Sequence, residues 1–130
     1  MSHISPTHEL FNEVRKLSYQ LGYDTYDHIP DGNVAYPFVH VGEQFEQLNT
    51  SNKDRLFGQT QITVHVWHND WRKRKELTDM MSAIERELWS MRSTAHLSVR
   101  ITSTNKQVLT DTSTDSTLLH GVLEVDISYQ

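Results

Sequence analysis

Apolar residues recur at helical spacing in two stretches of the chain and alternate with polar residues in three others. Leu10, Val14, Leu17 and Leu21 step by fours and threes along one face, with Phe11 beside them. Ser5-Pro6 reads as the N-cap and first position of that helix, and Gly22 sits where a C-cap belongs. Leu77, Met81, Ile84 and Leu88 form a second stripe flanked by Met80 and Trp89. This predicts a helix from about Trp71 to Met91, capped by Asn69 or Asp70.

Between the helices, Gln59 to Trp67 alternates as a half-buried strand. Ile62, Val64 and Val66 face one side; Thr63, His65 and Trp67 face the other. Thr25 to Ile29 is a short β-prone run closed by the turn residues Pro30-Asp31-Gly32-Asn33, and Tyr36 to Val41 is a further strand. After the second helix, Leu97, Val99 and Ile101 alternate with Ser98, Arg100 and Thr102. In the last strand Leu119, Leu123, Val125, Ile127 and Tyr129 share one face, and His120, Val122, Glu124 and Asp126 the other. Two segments carry no period. Glu43 to Gly58 is rich in Gln, Asn and Ser, with Phe45, Leu48, Leu56 and Phe57 as its apolar residues, and reads as a long flexible loop. Asn105 to Ser116 reads as a hairpin loop. The order α-β-β-β-α-β-β predicts a single α+β domain over residues 1–130, a mainly antiparallel sheet with both helices packed on one face.

Composition narrows the function classes. A chain of 130 residues can bury roughly 65–70% of its unfolded surface, enough for one core without staples. There is no cysteine, so disulfides, thiolate metal sites and cysteine nucleophiles are excluded, in keeping with assembly in a reducing cytoplasm. Met1 to Thr7 lacks the pattern of a secretion signal, and no apolar run approaches the ~20 residues of a membrane span, so no membrane partner is expected. The formal charge of −5 disfavours wrapping of duplex DNA. Four of the 12 basic residues are nevertheless consecutive, Arg72, Lys73, Arg74 and Lys75, at the start of the second helix, where cations oppose the helix dipole. This segment suits a protein- or nucleic-acid-binding module, or simply a solvated helix face.

Catalytic patterns are weak. His40, His65 and His68 offer an open three-histidine zinc site, against the plainer reading of solvated or interface histidines. No Gly-x-Ser-x-Gly elbow and no glycine-rich phosphate loop occurs. No catalytic residue, metal ligand or cofactor site is singled out, and the expectation is a non-enzymatic protein. Trp67, on the face opposite the Val/Ile row, and Trp71, at the helix start, suit a protein interface or a small secondary cluster.

The run Tyr26-Asp27-His28-Ile29-Pro30, then Tyr36-Pro37-Phe38-Val39-His40-Val41-Gly42, a polar stretch, and Ile62-Thr63-Val64-His65-Val66-Trp67 before a helix resembles the tail completion proteins of long-tailed phages and prophages. These include tail terminators and tail-to-head joining proteins. The resemblance follows the order of elements over nearly the whole chain and is sharpest from Tyr26 to Trp67. It implies an α+β subunit of a hexameric ring in the virion, at the head-proximal end of the tail, assembled in the host cytoplasm. Implied partners are other copies of the chain, the major tail tube protein and the head connector or stopper protein. DNA would pass through without being read, and no cofactor would be involved. The interface expected on this basis comprises Phe45, Leu48, Arg55, Leu56, Phe57, Trp67, Trp71, Arg72, Lys73, Arg74 and Lys75.

Overall fold

A computed structural model describes residues 5–49, 57–113 and 115–130, with the side chains of Asn49 and Phe57 outside the description. Helix α1 spans Pro6–Gln20. The Ser5 side chain accepts a hydrogen bond from the His8 amide at 3.1 Å, and Pro6 occupies the first turn, where its missing N–H costs nothing. The helix ends where Gly22 adopts φ +96°, a left-handed conformation that glycine enters without a Cβ penalty. Strand β1 is only Thr25–Tyr26, shorter than the Thr25–Ile29 expectation. Strands β2 (Phe38–Asn49) and β3 (Phe57–His68) follow, after a cis Tyr36–Pro37 peptide.

A 3₁₀ turn, Trp71–Lys73, opens on Asp70, whose carboxylate accepts from the Arg72 amide at 3.0 Å. Helix α2 then runs Arg74–Trp89, inside the expected 71–91. Strands β4 (Val99–Asp111) and β5 (Leu118–Tyr129) complete the chain. The sheet order is β1-β2-β3-β5-β4; only β1 pairs in parallel, and every other pair is antiparallel. The α+β class and the order α-β-β-β-α-β-β are those expected from the pattern.

One core lies between the helices and a single face of the sheet. Leu10 and Val14 of α1 and Leu77, Met81, Ile84 and Leu88 of α2 pack on Val39, Val41, Ile62, Val64, Val66, Leu123, Val125 and Ile127. Each such side chain contributes about 1.5–3 kcal/mol relative to exposure. Glu9 pins the start of α1 to the segment before β4. Its carboxylate accepts from the Thr94 hydroxyl and from the His96 amide at 2.9 Å, and pairs with His96 Nδ1 at 2.7 Å.

Two loop expectations are corrected. Residues 43–49 and 57–58 belong to β2 and β3, and Asn105–Asp111 belongs to β4. Residues 50–56, including Arg55 and Leu56 of the expected interface, lie outside the described residues. The physical reason is shared. None of these segments sets a continuous apolar row on the core: Phe45 is 67%, Leu48 51% and Leu109 40% exposed, while Gly58 and Val108 meet the core singly. Without such a row there is no alternation to read, yet the ladder hydrogen bonds still form. A bulge in each edge strand, between Val41 and Gln44 and between Ile101 and Ser103, also resets the alternation. Gln44 thereby turns inward and donates to the Thr7 carbonyl (2.9 Å) and the Thr60 hydroxyl (3.0 Å).

Candidate functional site: the uncovered face of the sheet

Because both helices cover one face, the other faces outward along all four long strands. Its side chains follow from register. His40 of β2 is paired with His65 of β3, and Trp67 with His120 of β5. The result is a continuous stack. His40 and His65 lie with ring centroids 5.4 Å apart, His65 and His120 at 4.9 Å, and Trp67 and His120 at 3.8 Å with planes 8° apart.

Proton positions in this row follow from the acceptor at its end. The Glu43 carboxylate lies 3.0 Å from His65 Nε2 and can only accept, so Nε2 donates. In a neutral His65 ring Nδ1 is then the acceptor, and His120 Nε2 donates to it across 2.7 Å. Burial, and then the neighbouring His65, hold the His40 and His120 pKa values below the usual imidazole range. Burial alone would raise the Glu43 carboxyl, but the His65 hydrogen bond and charge outweigh it and the net shift is downward. Further along the face, Asp126 accepts from Gln61 Nε2 at 3.0 Å and from the Ser103 hydroxyl at 2.5 Å. The surface is thus polar, cross-linked strand to strand, and interrupted by Phe45 and Trp67.

The proposed trio of His40, His65 and His68 does not converge. His68 is an odd number of residues from His65 and so points to the helix side, where it is 4% exposed. Its Nδ1 accepts from the Asp70 amide at 3.2 Å, and its Nε2 lies 3.5 Å from the Glu76 carboxylate without a hydrogen bond. Among the described residues no group of three His, Asp or Glu side chains has an arrangement that would hold a metal ion. The residues sequence reasoning left out of a cluster are His120 and Glu43. They come from different strands than their partner His65, so no spacing signals them.

The other expected interface residues scatter. Trp67 lies half-buried on the uncovered face; Phe45 shares that face near the sheet's far end; Leu48 points to the helix side there. Trp71, 65% exposed, stands apart on the 3₁₀ turn. The basic run is largely matched by acids of its own segment: Arg72 with Asp70 at 3.1 Å, Lys73 with Glu76 at 3.9 Å, and Lys75 with Asp79 at 2.7 Å, while Arg74 is exposed. At the β4–β5 turn end, Ile29, Tyr36, Phe38, Trp67 and Leu118 line a shallow apolar hollow of about 270 Å³. No helix among the described residues is long and apolar enough to cross a membrane.

No protein-family model and no curated protein sequence matches the chain. Among solved structures, the fold is similar to that of a chain in a structure titled virion of native gene transfer agent (GTA) particle. The TM-score is 0.60 at 13% identity, covering 91% of this chain and 91% of that chain. At that identity the likeness is one of fold, and it extends over both chains nearly end to end.

Proposed function

We propose that the chain is a structural subunit of a phage-like virion, acting without catalysis as a tail completion protein. In this reading copies form a hexameric ring that caps the tail tube, meets the head connector and lets DNA pass unread. The observation that carries it is the fold shared over 91% of both chains with a component of a gene transfer agent virion. The Tyr36 to Gly42 motif and its neighbours point to the same class independently of that fold. The site described above supports it as well. It is a broad, polar, hydrogen-bonded sheet face rather than a cleft with convergent reactive groups, and a subunit that works by contact needs faces. The charge of −5 suits a ring through which nucleic acid moves without adhering.

The test is capping. Purified protein is mixed with tail tubes from the same source and viewed by electron microscopy. A ring at one end of each tube is expected; bare tubes at saturating protein would count decisively against the reading.

A further inference from the structure

Both lateral edges of the sheet are open, and they are complementary. Among the described residues β4 has no strand neighbour on its outer side over Val99–Asp111, and β2 has none beyond its short pairing with β1 at Val39 and His40. An open strand edge presents unpaired N–H and C=O groups and is a ready template for another strand. We infer that the distal half of β2 in one copy pairs with β4 of a second copy, joining their sheets edge to edge. This rests on the reading of the chain as a ring subunit.

Three observations select this pairing. The first is direction. β2 is antiparallel to β3, β3 to β5 and β5 to β4, so β2 and β4 run antiparallel to each other. A copy placed beside another in the same orientation therefore offers an antiparallel ladder, the more stable kind. The contact joins unlike edges, so it is head-to-tail, the type that closes into rings when the rotation permits.

The second is charge. Beyond its bulge β2 carries Glu46 and no cation, Glu43 within the bulge being held by His65; β4 carries Lys106 in its matching run, with Arg100 before its bulge and Asp111 at its end. Pairing like with like would set acid on acid or base on base, whereas β2 on β4 opposes the signs. Burial raises the Glu46 carboxyl above its ordinary range, and Lys106, which lies 2.7 Å from Glu85 of its own chain, would be shared between the two acids. The third is regularity. Beyond its bulge each edge has an unbroken run, Gln44–Asn49 in β2 and Ser103–Asp111 in β4. The register that sets Glu46 beside Lys106, both on the helix side, joins these runs without meeting either bulge. It brings Gln47 opposite Asn105 on the uncovered face.

The absence of cysteine makes a direct test clean. Within one chain β2 and β4 are three strand spacings apart, about 14 Å, well beyond the ~7 Å reach of a disulfide. Any disulfide between them therefore joins two copies. Q47C is combined in turn with R100C, N105C and Q107C, and each variant, with its single-cysteine parents, is oxidised in solution and on tail tubes. The expected result is a ladder of multimers from a double variant, strongest for Q47C with N105C, while the parents remain monomeric on denaturing gels. The inference is overturned if no double variant exceeds its parents in either setting, or if a parent alone gives dimers, which would mean like edges meet. Tubes capped without cross-links would keep the virion reading and remove edge pairing. A cross-linked ring that never binds tubes would do the reverse.

Discussion

His120 lies flat on Trp67, ring centroids 3.8 Å apart and planes within 8°, while its Nε2 reaches back 2.7 Å to His65 Nδ1. One imidazole thus joins the aromatic and histidine parts of the uncovered face. Two adjacent imidazolium ions would repel and leave no acceptor for the shared hydrogen bond, so the geometry is incompatible with both rings being protonated at once.

A pH dependence follows. The pKa values of His40 and His120 are lowered in the folded state by burial and by His65. The unfolded chain, with histidine near its ordinary value of about 6.5, therefore takes up protons first. Stability is full above that value and falls as pH drops from it toward the folded values, by at most about 1.4 kcal/mol per pH unit for each histidine. Urea midpoints measured from pH 7.5 to 5.5 should fall, and His120→Gln should flatten the slope. Equal slopes in the two proteins would contradict the stack as described.

Gly58 is occupied from above by Tyr129, its partner across β3 and β5. A Cβ there would come within 2.1 Å of the tyrosine ring, whereas at Gly32 it would meet nothing within 4 Å. Gly58→Ala should cost about 1–3 kcal/mol through displaced packing, and Gly32→Ala should stay within about 0.5 kcal/mol. Thermal melts of the two variants side by side decide the matter.

Glu9 has a carboxylate 10% exposed that receives the Thr94 hydroxyl and the His96 amide. The Thr94 hydrogen bond is the main cause of its lowered pKa. Its contribution is present above the ordinary carboxyl value of about 4.3 and is lost as pH falls through the lower folded value. Glu9→Gln should cost about 1.5–3 kcal/mol at pH 7, and the deficit should shrink on acidification. A deficit constant down to pH 3 would assign the loss to shape instead of charge.

The basic run should not bind nucleic acid appreciably. Arg72, Lys73 and Lys75 each face an acid within 4 Å, which leaves little cation to displace counterions from phosphates. A filter assay with duplex and single-stranded DNA at ~0.15 M salt should show no retention. Retention with a steep salt slope, abolished by neutralising the four residues, would restore the binding-module reading. Asp70→Ala should instead register as a lost cap, a small fall in melting temperature with DNA retention unchanged.

What the amino-acid sequence determined by itself was everything driven by a buried face. Leu10 and Val14, Leu77 to Leu88, the Ile62-Val64-Val66 row and the Leu119 to Tyr129 row each alternate or recur because one side must leave water, and that constraint is local enough to read. The cap Ser5 was legible because it is a short-range hydrogen bond; Asp70 was one of two candidates for capping α2 and instead caps the 3₁₀ turn before it. Tertiary structure alone decided where strands continue without a continuous apolar row, as in residues 43–49 and 105–111. Ladder bonds come from a partner distant in sequence and leave no period. It also decided that Gln44 turns inward past a bulge while Phe45 turns out. The stack of His40, His65, His120 and Trp67 arises in the same way. Three strands bring these rings together across the sheet, and the one spacing the chain does display, His65 to His68, divides its pair between opposite faces.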